Sequence, residues 1–309
     1  MWESFLSLSR CRNKVENKHR IPEMKAQVYG LFIVPLAGIV ALSYLESRPS
    51  SIGQHRVAVA RKHKQTAIRA IFEAKKVKYP PDKLYIRAHK AERELEIWAK
   101  SGRGWMSLIK TYPIAAMSGN LGPKRKEGDL QVPEGLYEVD RLNPFSKFLL
   151  SFGINYPNKS DKILGDPKTP GGDIFIHGGT SSIGCLAMTD DAIEEIYLMV
   201  LDASSNLNYQ VRVDIFPFRM TKANMEKYSK GSPHSAFWKQ LSKHWFEIRI
   251  VGANNQTYIR PESIKHVQID ESGNYYPPRP MERFGDSFQL QIYQPPGPMN
   301  GPYRWPGQL

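Results

Sequence analysis

Apolar and polar positions divide the chain into stretches of different texture. Val28 to Leu45 (VYGLFIVPLAGIVALSYL) is an eighteen-residue run without a charge. It is slightly short of the roughly 20 residues of a membrane-spanning helix and longer than the roughly 7 to 15 of a signal-peptide core, so it predicts a signal or transmembrane anchor. Ala41 and Ser43 fit small-x-small cleavage spacing, Met24-Lys25 offers an alternative start, and a buried core helix is the plainer reading. Over residues 54–78, Val57, Lys64, Ile68, Ile71 and Phe72 recur near helical spacing among basic side chains, and Pro80-Pro81 is expected to stop the helix.

From Asp82 the texture becomes strand-like. Leu84-Tyr85-Ile86 and Leu95-Glu96-Ile97-Trp98 flank a charged turn and predict a hairpin. Further strands are predicted over Leu108–Met117, Gly135–Val139, Phe148–Tyr156 and Asp173–His177, the last with Phe175 and His177 on one face. Ile193, Ile196, Tyr197, Val200 and Leu201 predict a helix from about Asp191, with Asp191 and Glu194 at capping-box spacing. A strand over Tyr209–Phe218 and a helical stretch over Thr221–His244 follow, and the eight prolines of residues 277–309 predict an extended tail. The division is a basic leader over 1–27, the signal or anchor over 28–45, a basic helical linker over 46–81, a folded α+β domain over 82–250 and a C-terminal extension with a Pro-rich tail over 251–309.

Charge sharpens this division. Of 43 Lys and Arg against 30 Asp and Glu, a net +13, an excess of three lies in residues 1–25 and of seven in residues 46–78, either side of the apolar run. A basic flank before an apolar segment orients the remainder outward, which places the domain in the periplasm or cell envelope. The same excess on its own would suggest an acidic polymer, but no nucleic-acid motif or aromatic interleaving accompanies it, so no nucleic-acid partner is expected. The basic helix is expected to pack its stripe on the domain, with anionic lipid head groups as the functional alternative. Two cysteines exclude a disulfide-rich scaffold and a Cys-based zinc site, and H-E-x-x-H is absent, so neither metal nor cofactor is expected.

Candidate chemistry concentrates in Ile176-His-Gly-Gly-Thr-Ser-Ser-Ile-Gly-Cys-Leu-Ala-Met-Thr189. With Cys11 in the leader, Cys185 is the sole thiol of the exported body, and an unpaired thiol in an oxidising compartment asks for a reason. His177, eight residues upstream at a strand end, would hold that thiol as thiolate near neutral pH and act as general base. Backbone N–H groups at Gly184 and Cys185, with Ser182 and Gly178 nearby, would receive a tetrahedral oxyanion or substrate. A structural cysteine and histidine are the bland alternative. Serine alternatives fit less well: Ser182 lacks the first glycine of G-x-S-x-G, and Ser107-Leu108-Ile109-Lys110 matches S-x-x-K without its partner motifs.

Ile176-His177-Gly178, Ser182-Ile183-Gly184-Cys185 and Ala187-Met188-Thr189 resemble the active-site segment of the YkuD-type L,D-transpeptidases, specifically the YafK-like branch. Gly119-Asn120-Leu121-Gly122-Pro123-Lys124, Gly128-Asp129, Pro133-Glu134-Gly135, Phe216–Thr221 and Asn224-Met225 match in the same order, so the resemblance covers about residues 65 to 250. It implies a β-rich catalytic fold with flanking helices acting on peptidoglycan stem peptides. It implies that Cys185 attacks the L-centre carbonyl of meso-diaminopimelate to form a thioester, which passes to an amine or to water. His177 would be base and then acid, oriented by a backbone carbonyl, and some relatives act on the bond to a wall-linked lipoprotein. Ile183 and Ala187 depart from the frequent S-H-G-C-x-R, which leaves no arginine at 187 for a substrate carboxylate, and the short His-to-Cys loop leans toward hydrolysis. The alternative of another class is a non-catalytic wall-binding protein, and the partners expected are stem peptides, wall-linked lipoprotein and the cytoplasmic membrane through residues 28–45.

Overall fold

The computed structural model describes residues 49–102, 105–205, 210–245, 249–250, 257–259, 268–276 and 291–292. The leader and apolar segment expected over 1–45, Cys11 and most of the Pro-rich tail lie outside the described residues. No helix among the described residues is long and apolar enough to cross a membrane.

The basic stretch forms helix α1, Pro49–Ala74, opening on a proline whose missing N–H costs nothing in a first turn. It ends before Pro80-Pro81, correcting the expected stop: Lys76 turns left-handed at φ 56° and the Val77 N–H closes onto the Phe72 carbonyl at 3.0 Å. Next along the chain come the short α2, Lys159–Leu164, capped by Asn158, and the long α3, Asp190–Ser205. The predicted stripe of α1 does pack on the domain. Ile68 and Phe72 are fully buried and Val57 and Ile71 partly so, against α3. Arg61 grips Asp202 through two bonds of 2.8 and 2.6 Å, His63 stands 3.4 Å from Glu194, and Lys64 pairs with Asp191. With Asp191 so engaged, the α3 cap comes from the Thr189 hydroxyl, which accepts the Ala192 N–H at 3.3 Å, instead of the expected Asp191–Glu194 box.

The strands, in chain order, are β1 Lys83–His89, β2 Glu94–Lys100, β3 Met106–Pro113, β4 Gly135–Asn143, β5 Ser151–Ile154, β6 Phe175–His177, β7 Leu186–Ala187, β8 Arg212–Phe216, β9 Arg249–Ile250, β10 Thr257–Ile259, β11 Gln268–Ile269, β12 Tyr275–Tyr276 and β13 Gln291–Ile292. Most form one mixed sheet in the order β7-β6-β5-β4-β8-β1-β2-β3-β10-β9, with β13 against β4, while β11 and β12 make a separate hairpin. The predicted hairpin is β1–β2, in register from Lys83↔Lys100 to His89↔Glu94, while β1 with β8 and β6 with β7 are parallel. The predicted helical stretch over 221–244 breaks at Gly231-Ser232-Pro233 into α4, Lys222–Ser229, α5, Ser235–Leu241, and a turn of 3₁₀ helix, Ser242–His244.

Strand alternation builds two cores. Leu84, Ile86, Leu95, Ile97, Val213 and Ile215 point to the face covered by α1 and α3. On the other face Leu136, Phe216 and Phe218 meet Trp238, Leu241 and Tyr275. Between these apolar patches the second face carries charge: Arg87 and Glu96 are fully buried and bonded at 2.8 Å, with Arg219 on the other Glu96 oxygen, also at 2.8 Å.

Candidate active site

The site lies at the β7 end of the sheet. Leu142, Phe152, Ile176 and Leu186 form a row across β4 to β7, all buried in the main core. The residues alternating with them therefore face the other way. One such row is Asn143, Ser151, His177 and Ala187; the other is Arg141, Gly153 and Phe175, continued one step before β7 by Cys185. His177, the last residue of β6, and Cys185, one residue before β7, are thus brought close, their backbones about 6.6 Å apart along the strand direction and about 4.8 Å across it.

Several backbone contacts fix this arrangement. The Met188 N–H donates to the His177 carbonyl at 2.8 Å, and Ala187 bonds Ala116 through its N–H at 3.0 Å and its carbonyl at 3.3 Å, the carbonyl also accepting the Ala115 N–H at 2.8 Å. Gly178 has no room for a side chain, since a Cβ would stand 2.5 Å from Asp190 Oδ1 and 2.6 Å from the Phe148 carbonyl. Asp190 in turn accepts the Gly179 N–H at 2.8 Å, tying the start of α3 to the turn after His177.

His177 is buried, its ring stacked on Phe148 at 4.4 Å between centroids. Nδ1 lies 2.6 Å from the Gly178 carbonyl oxygen. A carbonyl can only accept, so the proton sits on Nδ1 and the basic lone pair on Nε2. Burial lowers the imidazole pKa, with the Gly178 carbonyl opposing. The Cys185 sulfur accepts the Phe175 N–H at 3.4 Å and lies 3.8 Å from the Asp173 carbonyl. Burial raises the thiol pKa; the Phe175 N–H, Lys124 and Arg141 oppose, and Asp173 adds to the rise. Both shifts favour neutral thiol beside neutral imidazole, correcting the expectation of a thiolate held near neutral pH. The physical reason is that desolvation outweighs the local cations.

The expected oxyanion donors are engaged in the resting structure. Gly184 N–H donates to Ser118 Oγ at 2.7 Å, and Cys185 N–H to Ser182 Oγ at 2.9 Å, while that hydroxyl donates to the Cys185 carbonyl at 2.7 Å. Gly178 N–H is taken by the carbonyls of Phe148 and Leu150 at 3.1 and 3.2 Å. Gly178 therefore contributes its carbonyl to His177 and not a donor to the substrate. Ser118 itself donates to the Leu130 carbonyl at 2.7 Å, joining the 118–131 loop to the cysteine loop. The S-x-x-K alternative makes no site: Ser107 is buried, and Lys110 is paired with Glu195 at 2.6 Å. Among the described residues no His, Cys, Asp and Glu cluster could hold a metal ion.

Sequence reasoning missed Ser118, Phe148, Asp173 and Arg141 as neighbours of the site. Ser118 directly precedes one of the matched motifs, but nothing in its spacing indicated that it would reach the cysteine loop 66 residues on.

A family model for the L,D-transpeptidase catalytic domain matches residues 83–215. The chain is 38% identical over 202 residues to "Putative L,D-transpeptidase YafK" of Escherichia coli K12, covering 62% of this chain and 80% of that protein. The same figures hold for the protein of that name from Escherichia coli O157:H7. Among solved structures, the helical cell shape determining protein Pgp2 of Campylobacter jejuni aligns with TM-score 0.36 and 18% identity, over 62% of this chain and 89% of that one. Bd1075 of Bdellovibrio bacteriovorus aligns with TM-score 0.32 and 20% identity, over 57% and 79%. The similarity to YafK over four fifths of its length, with the catalytic-domain match across the segment that carries His177 and Cys185, places this chain in the YkuD-type L,D-transpeptidase family, in its YafK-like branch.

Proposed function

We propose that the protein is an exported cysteine acyl-transfer enzyme of peptidoglycan. The observation that carries this reading is that the Cys185 thiol lies against β6, whose last residue, His177, has Nδ1 committed to the Gly178 carbonyl, leaving Nε2 as the base. Nε2 takes the thiol proton as sulfur adds to the L-centre carbonyl of meso-diaminopimelate in a stem peptide. The carbonyl oxygen becomes an oxyanion and replaces the Ser118 hydroxyl on the Gly184 N–H, with Cys185 N–H as second donor. On collapse the C–N bond to D-Ala breaks, the imidazolium gives its proton to the leaving amine, and a thioester remains. An amine of a second stem, or water, then takes the acyl group while His177 reverses its role.

A second reading, hydrolytic release of D-Ala or of wall-linked lipoprotein, has one observation in its favour. Only eight residues join β6 to β7, and Ile183 within them is 68% exposed, so this loop leaves the thioester open to water. The apolar run over 28–45 fits an export signal or an anchor in the cytoplasmic membrane, which would place the enzyme in the periplasm.

Cys185→Ala is expected to abolish turnover of purified muropeptides, and His177→Ala to lower it by about 10²- to 10⁴-fold. Undiminished turnover by Cys185→Ala sinks the proposal. Mass spectrometry of the products separates cross-linked dimers, trimmed stems and freed lipoprotein, and a carbapenem adduct on Cys185 separates an enzyme from a wall-binding module.

A further inference from the structure

Beside the thiol runs a strip of residues that the acyl-transfer chemistry leaves unused. Arg141, Gly153 and Phe175 stand side by side on β4, β5 and β6, and the row ends at Cys185. A Cβ on Gly153 would lie 2.7 Å from Arg141 Cζ and 2.8 Å from its Cγ and Nε. The arginine therefore lies in the space a side chain at 153 would fill, and reaches across β5 toward the nucleophile. Its guanidinium carbon sits 4.6 Å from the centre of the Phe175 ring. One end, Nη1, is held by Asp140 at 2.7 Å; the other, Nη2, meets Asp173 at 3.1 Å.

Two cations act on the thiol, Lys124 and Arg141. Lys124 is buried and committed to Asp129 and the Lys126 carbonyl at 2.7 and 2.8 Å. Arg141 is partly open, and its partner Asp173 is 70% exposed, so the Arg141–Asp173 contact is the one a ligand can exchange. No cation stands at 187, where the buried Ala187 is bonded to Ala116. A lone carboxylate would gain little from a guanidinium already bracketed by two acids. A zwitterion exchanges one ion pair for two and leaves the charge balanced.

We propose that Arg141 and Asp173 together read a zwitterionic amino-acid head beside the scissile bond, namely the free D-centre of the stem's diamino acid. Its carboxylate lies on the guanidinium and its ammonium on Asp173. This assignment rests on the function proposed above and names the specificity element of that same site.

The test measures binding by calorimetry in the Cys185→Ala protein, so that turnover plays no part. The probes are a tetrapeptide stem with meso-diaminopimelate and its analogue with L-lysine, which keeps the ammonium and lacks the carboxylate. Cys185→Ala is expected to prefer the diaminopimelate peptide by roughly 10- to 100-fold, as for a charge-assisted hydrogen-bonded pair. Adding Arg141→Gln is expected to reduce that preference to within about twofold, mainly by weakening the diaminopimelate peptide. Adding the surface change Asp173→Asn instead should weaken both peptides alike, and it keeps the test decisive if Arg141→Gln does not fold. An undiminished preference in Arg141→Gln, an equal loss for both peptides there, or no preference in Cys185→Ala overturns the assignment. Failure of the acyl-transfer reading appears separately, as turnover that survives Cys185→Ala in the otherwise wild-type chain.

Discussion

At the scale of single residues, His177 is defined by what surrounds it. Phe148 lies over the ring and excludes water, which lowers the imidazole pKa and keeps the base neutral further into acid than a free histidine. Phe148→Ala is expected to hydrate the ring, so the imidazole pKa rises toward about 6.5. The acid limb of kcat/KM then moves to higher pH, while the plateau falls less than about tenfold. A pH–rate profile of both proteins checks this, and an unmoved limb refutes it. Cys185 and His177 were legible in the sequence because a lone thiol, a strand-end histidine and flanking glycines are close along the chain. Ser118, Phe148 and Arg141 were not, because Arg141 reaches the site through strand register and the other two from loops folded back on it, which no local spacing encodes.

Helix α1 illustrates the scale of elements. Its stripe and basic character were legible, but its end was not, since a left-handed Lys76 is a position where glycine is the usual residue. The acidic side of α3 gives the basic side chains their partners, and the apolar stripe supplies most of the attachment, because partly exposed ion pairs contribute at most about 1 kcal/mol each. Phe72, fully buried and edge-on to Tyr79 at 4.9 Å, is the anchor. Phe72→Ala is expected to lower stability by about 3 to 5 kcal/mol, read by urea unfolding, while Arg61→Ala costs no more than about 1 kcal/mol. A larger loss from Arg61→Ala than from Phe72→Ala would reverse this ranking of stripe and charge.

For the whole molecule, the sheet is covered on both faces, which the sequence concealed. Lys83-Leu-Tyr-Ile-Arg-Ala-His89 alternates as a strand with one wet face would, yet Arg87 and His89 are fully buried. Trp98 Nε1 on the neighbouring strand donates to Glu96 at 2.9 Å, and residues far along the chain close over them: Arg219 adds a second cation, and the Arg87 guanidinium lies 5.8 Å from the centre of the Trp245 ring. Removing the shared acid strands buried positive charge, so Glu96→Ala is expected to cost about 3 to 5 kcal/mol in denaturant unfolding, and a loss under about 1 kcal/mol would count against a buried, charge-dependent second face. The short crossover between β6 and β7 has a different kind of consequence. Because side chains alternate strictly along a strand, a one-residue slip of β7 against β6 would take Leu186 out of the row of Leu142, Phe152 and Ile176 and carry the adjoining Cys185 out of place with it. The pairing of β7 with β6 is therefore a gauge, and a descendant in which it slipped by one residue could keep every residue of the active-site segment while losing the reaction.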